Sequence, residues 1–206
     1  MIKTILWDFD GVILNSMKIK GDAFVELFEG YSKSKVAKLE KYHYENGGMS
    51  RFEKIKYFFN DIINKKISDD DILQWADKFA LIIEKKIYTN SNLIDDTLLF
   101  IKNNYQNYNF HIVSGSEHKE LHKICKHFEL DQFFISIDGS PIKKEILIKK
   151  ILEKYNYKKE ETILIGDSMN DYDAASINSV NFYGFNNELL KNYGTYIKSF
   201  KGFKIG

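Results

Sequence analysis

The sequence predicts an α/β protein with a Rossmann-like parallel sheet, helices on both faces of the sheet, and an all-helical cap. After about residue 95, short apolar runs alternate with helical patterns, which is typical of parallel strands joined by helical crossovers. Before that point, about seventy residues with helical periodicity and no strand follow the first strand. That segment is too long for a simple crossover and indicates an insertion. We therefore assign residues 1–15 and 93–206 to the core and residues 16–92 to the cap.

The composition is that of an ordinary globular protein and argues against several classes of partner. The 206 residues are 44% hydrophobic and 29% charged, and 30 basic residues nearly balance 29 acidic ones for a net charge of +1. This charge gives no attraction to nucleic acid or to a membrane surface. No apolar stretch approaches the ~20 residues that span a bilayer, and no signal peptide is visible, because the charged start and the short apolar run lead straight into acidic residues. We expect a cytoplasmic monomer or homodimer, whose single Cys125 forms no internal disulfide.

The first element is a short apolar strand that ends in two carboxylates. Residues 2–7 are mostly apolar and β-branched, as in a strand buried on both faces. Asp8 and Asp10 follow, and Gly11 allows the backbone to turn. Because side chains alternate along a strand, these two carboxylates can point the same way. Two like charges so close require a cation between them or a proton on one of them.

Three apolar stripes at helical spacing predict the helices of the cap, and the pattern is weaker between residues 36 and 44. Ser50 with Glu53 fits a capping box, and Ser68 precedes three aspartates, so each marks a helix start. The stripes are Ala23, Phe24, Leu27, Phe28 and Tyr31; Phe52, Ile55, Phe58, Phe59, Ile62 and Ile63; and Ile72, Trp75, Ala76, Phe79, Ala80, Ile83 and Ile87.

From residue 95 onward the elements alternate. The periodicity predicts helices over 95–105, 117–128, 143–155 and 170–177, and strands over 110–113, 133–137, 162–165 and 181–183. Gly194 is a candidate helix C-cap, and an edge strand is expected near residues 196–197. In a parallel sheet built this way the carboxyl ends of all strands share one edge, which is where ligands bind.

Polar residues stand at two further strand ends. Ser114, Gly115 and Ser116 follow the second strand, where a hydroxyl beside glycine suits a phosphate; we interpret Ser114 as a ligand residue and Ser116 as the cap of the next helix. Asp167 and Asp171 follow the fourth strand and add carboxylate oxygens of the kind that Mg²⁺ binds. The alternative is that Asp167 or Ser168 only caps the following helix.

A lysine pair and one arginine complete the candidates. Lys143 and Lys144 open a helix, where a cation could neutralise phosphate; we favour Lys144, although surface lysines are usually only solvated. Segment 42–51 of the cap, which its two glycines make flexible or sharply turned, ends in Arg51, in a first helical turn where the helix dipole disfavours a cation. Arg51 is therefore either a specificity residue that binds an anion or a solvent-exposed side chain, and His43 is undecided between the same two interpretations.

Taken in order, these motifs resemble the haloacid dehalogenase superfamily of phosphohydrolases, in the branch of phosphoglycolate phosphatase and β-phosphoglucomutase. The residues that carry the resemblance are Asp8-Phe-Asp10-Gly-Val, the strand ending in Ser114, the helix-opening lysine, and Gly166-Asp-Ser-x-x-Asp171. It covers essentially the whole chain, including a helical cap after the first loop. Asn15 stands where an aspartate is frequent, and the lysine motif lacks the common Lys-Pro form.

The resemblance implies a role for each residue. Asp8 would be the nucleophile and Asp10 the general acid and base. Mg²⁺ would be held by the carboxylates of Asp8 and Asp167 and the backbone carbonyl of Asp10, with Asp171 supporting the metal or pairing with the lysine. Ser114, Gly115 and Lys144 would bind the phosphoryl oxygens.

The resemblance also implies an activity. We expect a Mg²⁺-dependent phosphatase that hydrolyses a small phosphorylated metabolite, a sugar phosphate or a phosphoglycolate-like compound, through an aspartyl-phosphate. The alternative is a phosphomutase of the β-phosphoglucomutase type. Dehalogenation is disfavoured, because members with that activity lack the second acid, here Asp10. A receiver domain is disfavoured because it has no use for a seventy-residue helical insertion.

Overall fold

A computed structural model describes residues 1–205. Its sheet has six strands, all parallel: β1 (Thr4–Trp7), β2 (Asn109–Glu117), β3 (Ser136–Ser140), β4 (Thr162–Gly166), β5 (Asn181–Phe185) and β6 (Thr195–Ile197). They lie in the order β3-β2-β1-β4-β5-β6. The predicted fold class is confirmed.

Strand β1 lies in the middle of the sheet and is buried along its whole length, which explains its continuous apolar sequence. Trp7, its last residue, is in register with Ile112 of β2 and with Ile165 of β4. This register brings the residues that follow the three strands to one edge, so the sheet itself assembles the candidate site.

The helices divide between two parts of the chain. Residues 16–92, which we call the cap, contain α1 (Met17–Leu27), α2 (Lys33–Glu45), α3 (Arg51–Tyr57) with a π-helical continuation (Phe58–Ile63), and α4 (Asp69–Ile87). The rest contains α5 (Asp95–Asn104), α6 (His118–His127), α7 (Lys144–Tyr155) and α8 (Met169–Asn178). Short 3₁₀ turns lie at Asn90–Asn92, Asp131–Phe133, Lys159–Glu161 and Glu188–Asn192. Within residues 1–205, no helix has both the length and the apolar character required to cross a bilayer.

Aromatic packing holds the cap helices together, as their apolar stripes predict. The rings of Phe28 and Phe58 lie 4.0 Å apart, and those of Phe24 and Phe79 lie 4.3 Å apart. Ser50 and Ser68 accept hydrogen bonds from the backbone N–H three residues later, so both predicted helix starts are confirmed. The weakly patterned region is α2, which buries only Val36, Leu39 and His43.

The chain crosses between cap and core at two adjacent points. Leu14 pairs with Leu93 in an antiparallel bridge, and Asn15 N–H donates to the carbonyl of Asn92 over 2.7 Å. We propose that the two domains divide here, at residues 15/16 and 92/93. Two adjacent connections tied to each other would let the cap move as one body.

One predicted strand is misplaced. The third strand, predicted over 133–137, runs over Ser136–Ser140, and Phe133 ends a 3₁₀ turn before it. The apolar Phe133 and Phe134 pack against the core from this turn. The strand itself lies at the edge of the sheet, where polar residues are tolerated, and the Ser136 hydroxyl lies 2.8 Å from Nδ1 of His111 on β2. The apolar pattern therefore marked the residues that precede the strand.

Candidate active site

Three carboxylates meet at the carboxyl edge of the sheet. Asp8 follows β1, and Asp167 and Asp171 follow β4; each offers an oxygen within 4.8 Å of the others. The loop after β1 passes directly over Asp167. Gly11 in this loop has a φ of +78°, and a Cβ at this position would overlap the Asp167 carboxylate. Glycine at this position is thus required both by the turn and by the close approach.

Lys144 is the cation of this cluster. Its Nζ donates to Oδ1 of Asp8 over 2.7 Å and to Oδ1 of Asp171, and the side chain is buried. Burial would lower the pKa of Lys144, but Asp171 and Asp8 raise it above its usual value. Lys143, the other candidate, is exposed and lies at the N-cap position of α7. The structure therefore brings Lys144, and not its neighbour, to the acidic residues.

Asp171 is held in place by its own helix. Ser168 caps α8 in a reciprocal capping box with Asp171, and the Ser168 hydroxyl donates to Oδ2 of Asp171 over 2.6 Å. The alternative role of Ser168 as a helix cap is therefore correct, whereas Asp167 caps nothing. Both oxygens of Asp171 are engaged, one by Lys144 and one by Ser168.

The remaining carboxylate oxygens fit a divalent cation. Oδ2 of Asp8 and Oδ1 of Asp167 are buried and have no hydrogen-bond partner among the described residues. Burial and the nearby Asp171 raise the pKa of Asp8 to about 7, and burial and Asp8 raise the pKa of Asp167 well above its usual range. Neighbouring carboxylates that repel each other, each with one buried oxygen that has no donor, form the oxygen-rich donor set of a hard cation such as Mg²⁺.

Asp10 belongs to a separate network on the cap side of the site. Lys20 Nζ and the Ser116 hydroxyl each donate to its Oδ2 over 2.6 Å, and Ser16 donates to Oδ1. Burial alone would raise the pKa of Asp10, but Lys20 and these hydrogen bonds lower it to about 2. The Asp10 side chain is therefore ionised in this arrangement and does not join the three-carboxylate cluster.

The predicted role of Ser116 as a helix cap is wrong. The carboxylate of Glu117 caps α6 by accepting from the backbone N–H groups of Lys119 and Glu120, while Ser116 binds Asp10 and Lys20. The reason is that β2 continues to Glu117, which keeps Ser116 on the strand and turned into the site. Ser114, two residues earlier, is also buried at this edge, and its hydroxyl accepts from the Ser116 N–H.

A glycine loop of the cap lies directly on the core beside this network. The carbonyl of Gly47 accepts from Nδ2 of Asn170 over 2.7 Å. A Cβ on Gly115 would overlap the carbonyl oxygen of Gly48, so the two backbones touch across the boundary between cap and core. The cap is docked over the strand ends in this arrangement.

Arg51 is buried, so the solvent-exposed alternative for this side chain is wrong. Its guanidinium pairs with Glu120 of α6 and lies 4.8 Å from the centroid of the Phe79 ring. The anion that Arg51 binds here is thus a protein carboxylate that links cap and core. A role in substrate specificity stays a prediction.

Sequence reasoning missed two buried lysines and left His43 undecided. Lys20 lies four residues before Phe24, and Lys54 lies four residues before Phe58, each on the buried face of its helix. A charged residue in phase with an apolar stripe was the available signal. His43 is also buried, and its Nε2 lies 2.9 Å from the carbonyl of Met17.

Solved structures share this fold over nearly the whole chain. A β-phosphoglucomutase from Clostridium difficile superposes with a TM-score of 0.76 at 17% identity, covering 100% of this chain and 94% of that one. A predicted phosphoglycolate phosphatase from Haemophilus somnus gives 0.68 at 17% identity, covering 95% and 87%. A magnesium-bound hydrolase of the haloacid dehalogenase type from Bacillus subtilis gives 0.70 at 20% identity, covering 98% and 96%.

Comparison with sequences leads to the same family. No curated protein gives a significant match to this chain. Residues 5–185, which include both the carboxylate cluster and the cap, match the family model described as haloacid dehalogenase-like hydrolase. The order of the site residues along the chain and the fold around them agree with this match. The chain therefore belongs to the haloacid dehalogenase-like hydrolase family.

Proposed function

We propose that this protein is a Mg²⁺-dependent phosphatase that hydrolyses a small phosphorylated metabolite through an aspartyl-phosphate on Asp8. One observation carries the proposal: Oδ1 of Asp8 is held by Lys144, while Oδ2 is buried at the strand edge with no partner among residues 1–205. If Oδ2 is used to hold the metal ion, Oδ1 is the oxygen that would attack phosphorus, and the Lys144 cation beside it would neutralise the incoming phosphoryl group.

The remaining residues supply proton transfer and charge. In the first step a carboxylate oxygen of Asp8 bonds to phosphorus, the phosphoester bond breaks, and Asp10 protonates the leaving oxygen. In the second step water attacks phosphorus, Asp10 takes its proton, and phosphate leaves Asp8. The ionised Asp10 of this arrangement, with its pKa lowered to about 2 by Lys20 despite burial, is the form that the second step needs. The first step needs the protonated form, and the proton that Asp10 takes from water in the second step is the one it would give to the leaving oxygen in the next turnover.

Ser114, Gly115 and Lys144 would position the phosphoryl group. Lys144 is a buried cation beside Asp8, and Ser114 offers a buried hydroxyl at the end of the adjacent strand. Positioning and neutralisation of charge account for most of the catalysis of phosphoryl transfer.

Asp8 and Asp167 would hold Mg²⁺, with Asp171 in support; the resemblance adds the backbone carbonyl of Asp10. Two buried, unpartnered carboxylate oxygens support this assignment, as does the magnesium bound to the similar Bacillus subtilis hydrolase. When bound, the ion would offset the negative charge of the carboxylates and of the phosphoryl oxygens.

Removal of divalent cations by a chelator is expected to abolish hydrolysis of p-nitrophenyl phosphate, and added Mg²⁺ is expected to restore it. Mg²⁺ should also raise the Tm, and more at about pH 8 than at about pH 5, because protons occupy the carboxylates at lower pH. In the metal-free protein the pKa of Asp8 is raised from 3.8 to about 7, so between these pH values the folded state binds a proton more tightly than the unfolded state does. The free energy of unfolding of the metal-free protein should therefore fall as the pH rises from about 4 to about 7. Full activity in the chelator, with a Tm unaffected by Mg²⁺, would contradict the metal assignment.

The contact between Gly115 and the cap loop gives a second prediction. Gly115→Ala is expected to lower kcat/KM for p-nitrophenyl phosphate roughly 10- to 100-fold, because its Cβ would push Gly48 away and misplace the cap. Gly30→Ala is the matched control, since a Cβ at Gly30 meets nothing within 4 Å. Equal activity of the two variants would show that this cap contact is not needed.

A phosphomutase is the second candidate, because the fold matches a β-phosphoglucomutase with a TM-score of 0.76. It would use the same core residues and return the phosphoryl group to a sugar instead of water. Formation of the isomeric glucose phosphate from β-glucose 1-phosphate, without release of inorganic phosphate, would favour the mutase. Rapid release of phosphate over many turnovers would favour the phosphatase.

A further inference from the structure

A small cavity lies between the cap and the carboxyl edge of the sheet, next to Asp10. Its volume is about 30 Å³, and its polar lining consists mainly of Asp10, Lys20, His43, Arg51, Lys54 and Ser116. Asp10 is the residue proposed to protonate the leaving oxygen, so a group in this cavity would belong to the leaving part of the substrate. Gly115 also lines the cavity, whereas Asp8, Ser114 and Lys144 do not, so the cavity adjoins the phosphoryl position on the cap side.

The charges around this cavity do not balance. Lys20 pairs with Asp10, and Arg51 pairs with Glu120. Lys54 is equally buried, at 3% exposure, yet no carboxylate of the described chain lies within 4.0 Å of its Nζ. This buried amine is thus left without an anion, and burial lowers the pKa of Lys54 to about 7, because an unpaired charge is costly in an interior of low polarity.

Within residues 1–205, the only hydrogen-bonding neighbour of the Lys54 amine is a neutral histidine. Lys54 Nζ lies 3.0 Å from Nδ1 of His43, and Nε2 of His43 lies 2.9 Å from the Met17 carbonyl. A carbonyl only accepts, so Nε2 carries the proton and Nδ1 accepts from Lys54. Burial and Lys54 lower the pKa of His43 to about 3, in agreement with a neutral ring. His43 orients Lys54 toward the cavity and contributes no negative charge.

We propose that this cavity binds a carboxylate of the leaving group, with Lys54 as the residue that selects it. The substrate would then be a short phosphoester of a hydroxy acid, an inference that rests on the proposed phosphatase function. A cavity of about 30 Å³ has room for about two or three water-sized groups. That matches the three heavy atoms of a carboxylate and excludes a sugar ring in this arrangement of the cap.

The test compares two substrates of nearly the same shape: phosphoglycolate and its amide, phosphoglycolamide, in which a neutral group replaces the carboxylate. We expect the wild-type protein to prefer the acid by about 10²-fold or more in kcat/KM. This is the size of effect expected when one partner of a buried ion pair is removed, as the amide would do here. Lys54→Met should reduce this acid-to-amide ratio to about 3 or less. Lys56→Met, a change to an exposed lysine in the same helix, should leave the ratio unaltered.

The possible results test the carboxylate site separately from the proposed phosphatase function. Equal wild-type rates for acid and amide overturn the inference, even if Lys54→Met does not fold, and leave the phosphatase standing. If no phosphoester is hydrolysed, p-nitrophenyl phosphate included, the proposed function fails and calorimetric binding of glycolate decides the inference. Binding that Lys54→Met loses and Lys56→Met keeps supports the carboxylate site; absence of binding to the wild type overturns it.

Discussion

Replacement of Asp8 by Asn is expected to lower kcat for p-nitrophenyl phosphate by on the order of 10⁴- to 10⁶-fold, the scale of losing a covalent nucleophile. The amide keeps the shape of the carboxylate but cannot form the acyl phosphate. The loss should come without unfolding, because Asp8 is one of three neighbouring carboxylates and its removal reduces their repulsion. We expect the metal-free Tm of Asp8→Asn at about pH 8 to equal or exceed that of the wild type.

Asp22→Asn is a suitable control for this experiment. Asp22 is an exposed residue of α1 that pairs with Lys18, away from the carboxylate cluster. It should change neither kcat nor Tm appreciably. Turnover by Asp8→Asn close to the wild-type rate would refute the nucleophile. Loss of activity together with loss of the folded state would show a structural role instead.

Lys144→Met is expected to be the most destabilising single change at the site. Asp8 and Asp171 would keep their burial and lose the cation between them, and removal of one partner from a buried ion pair costs about 3–5 kcal/mol. The cost should be smaller at about pH 5 than at about pH 8. Burial and Asp171 already raise the pKa of Asp8 to about 7 with Lys144 present, so at the lower pH a proton replaces the missing cation.

Lys143→Met provides the matched control, because the adjacent lysine is exposed and contacts neither aspartate. Its free energy of unfolding in urea should lie within about 0.5 kcal/mol of the wild-type value. Phosphatase activity should fall sharply in Lys144→Met and persist in Lys143→Met. If activity instead falls in Lys143→Met and persists in Lys144→Met, Lys143 is the phosphate-binding lysine. Equal activities of the two variants would show that the ion pair of Lys144 with the aspartates is not needed for catalysis.

Features encoded over a few neighbouring residues could be predicted from the sequence. The apolar run of β1, the aromatic stripes of the cap and the serine caps at Ser50 and Ser68 all follow from local periodicity and local hydrogen bonding. The alternation of strands and helices then determined the class of sheet, which placed Asp8 and Asp167 at one edge. The third strand was misplaced because an edge strand lacks the apolar signature.

The pairing of charges was decided only by the tertiary structure. Lys144 is 136 residues from Asp8, Lys20 is 96 from Ser116, and Arg51 is 69 from Glu120. No local pattern specifies which of two adjacent lysines turns inward, or that an arginine of the cap finds its anion on α6. Such partners are selected by packing, because a charge is buried only where the fold places an opposite charge or a hydrogen-bonding group beside it.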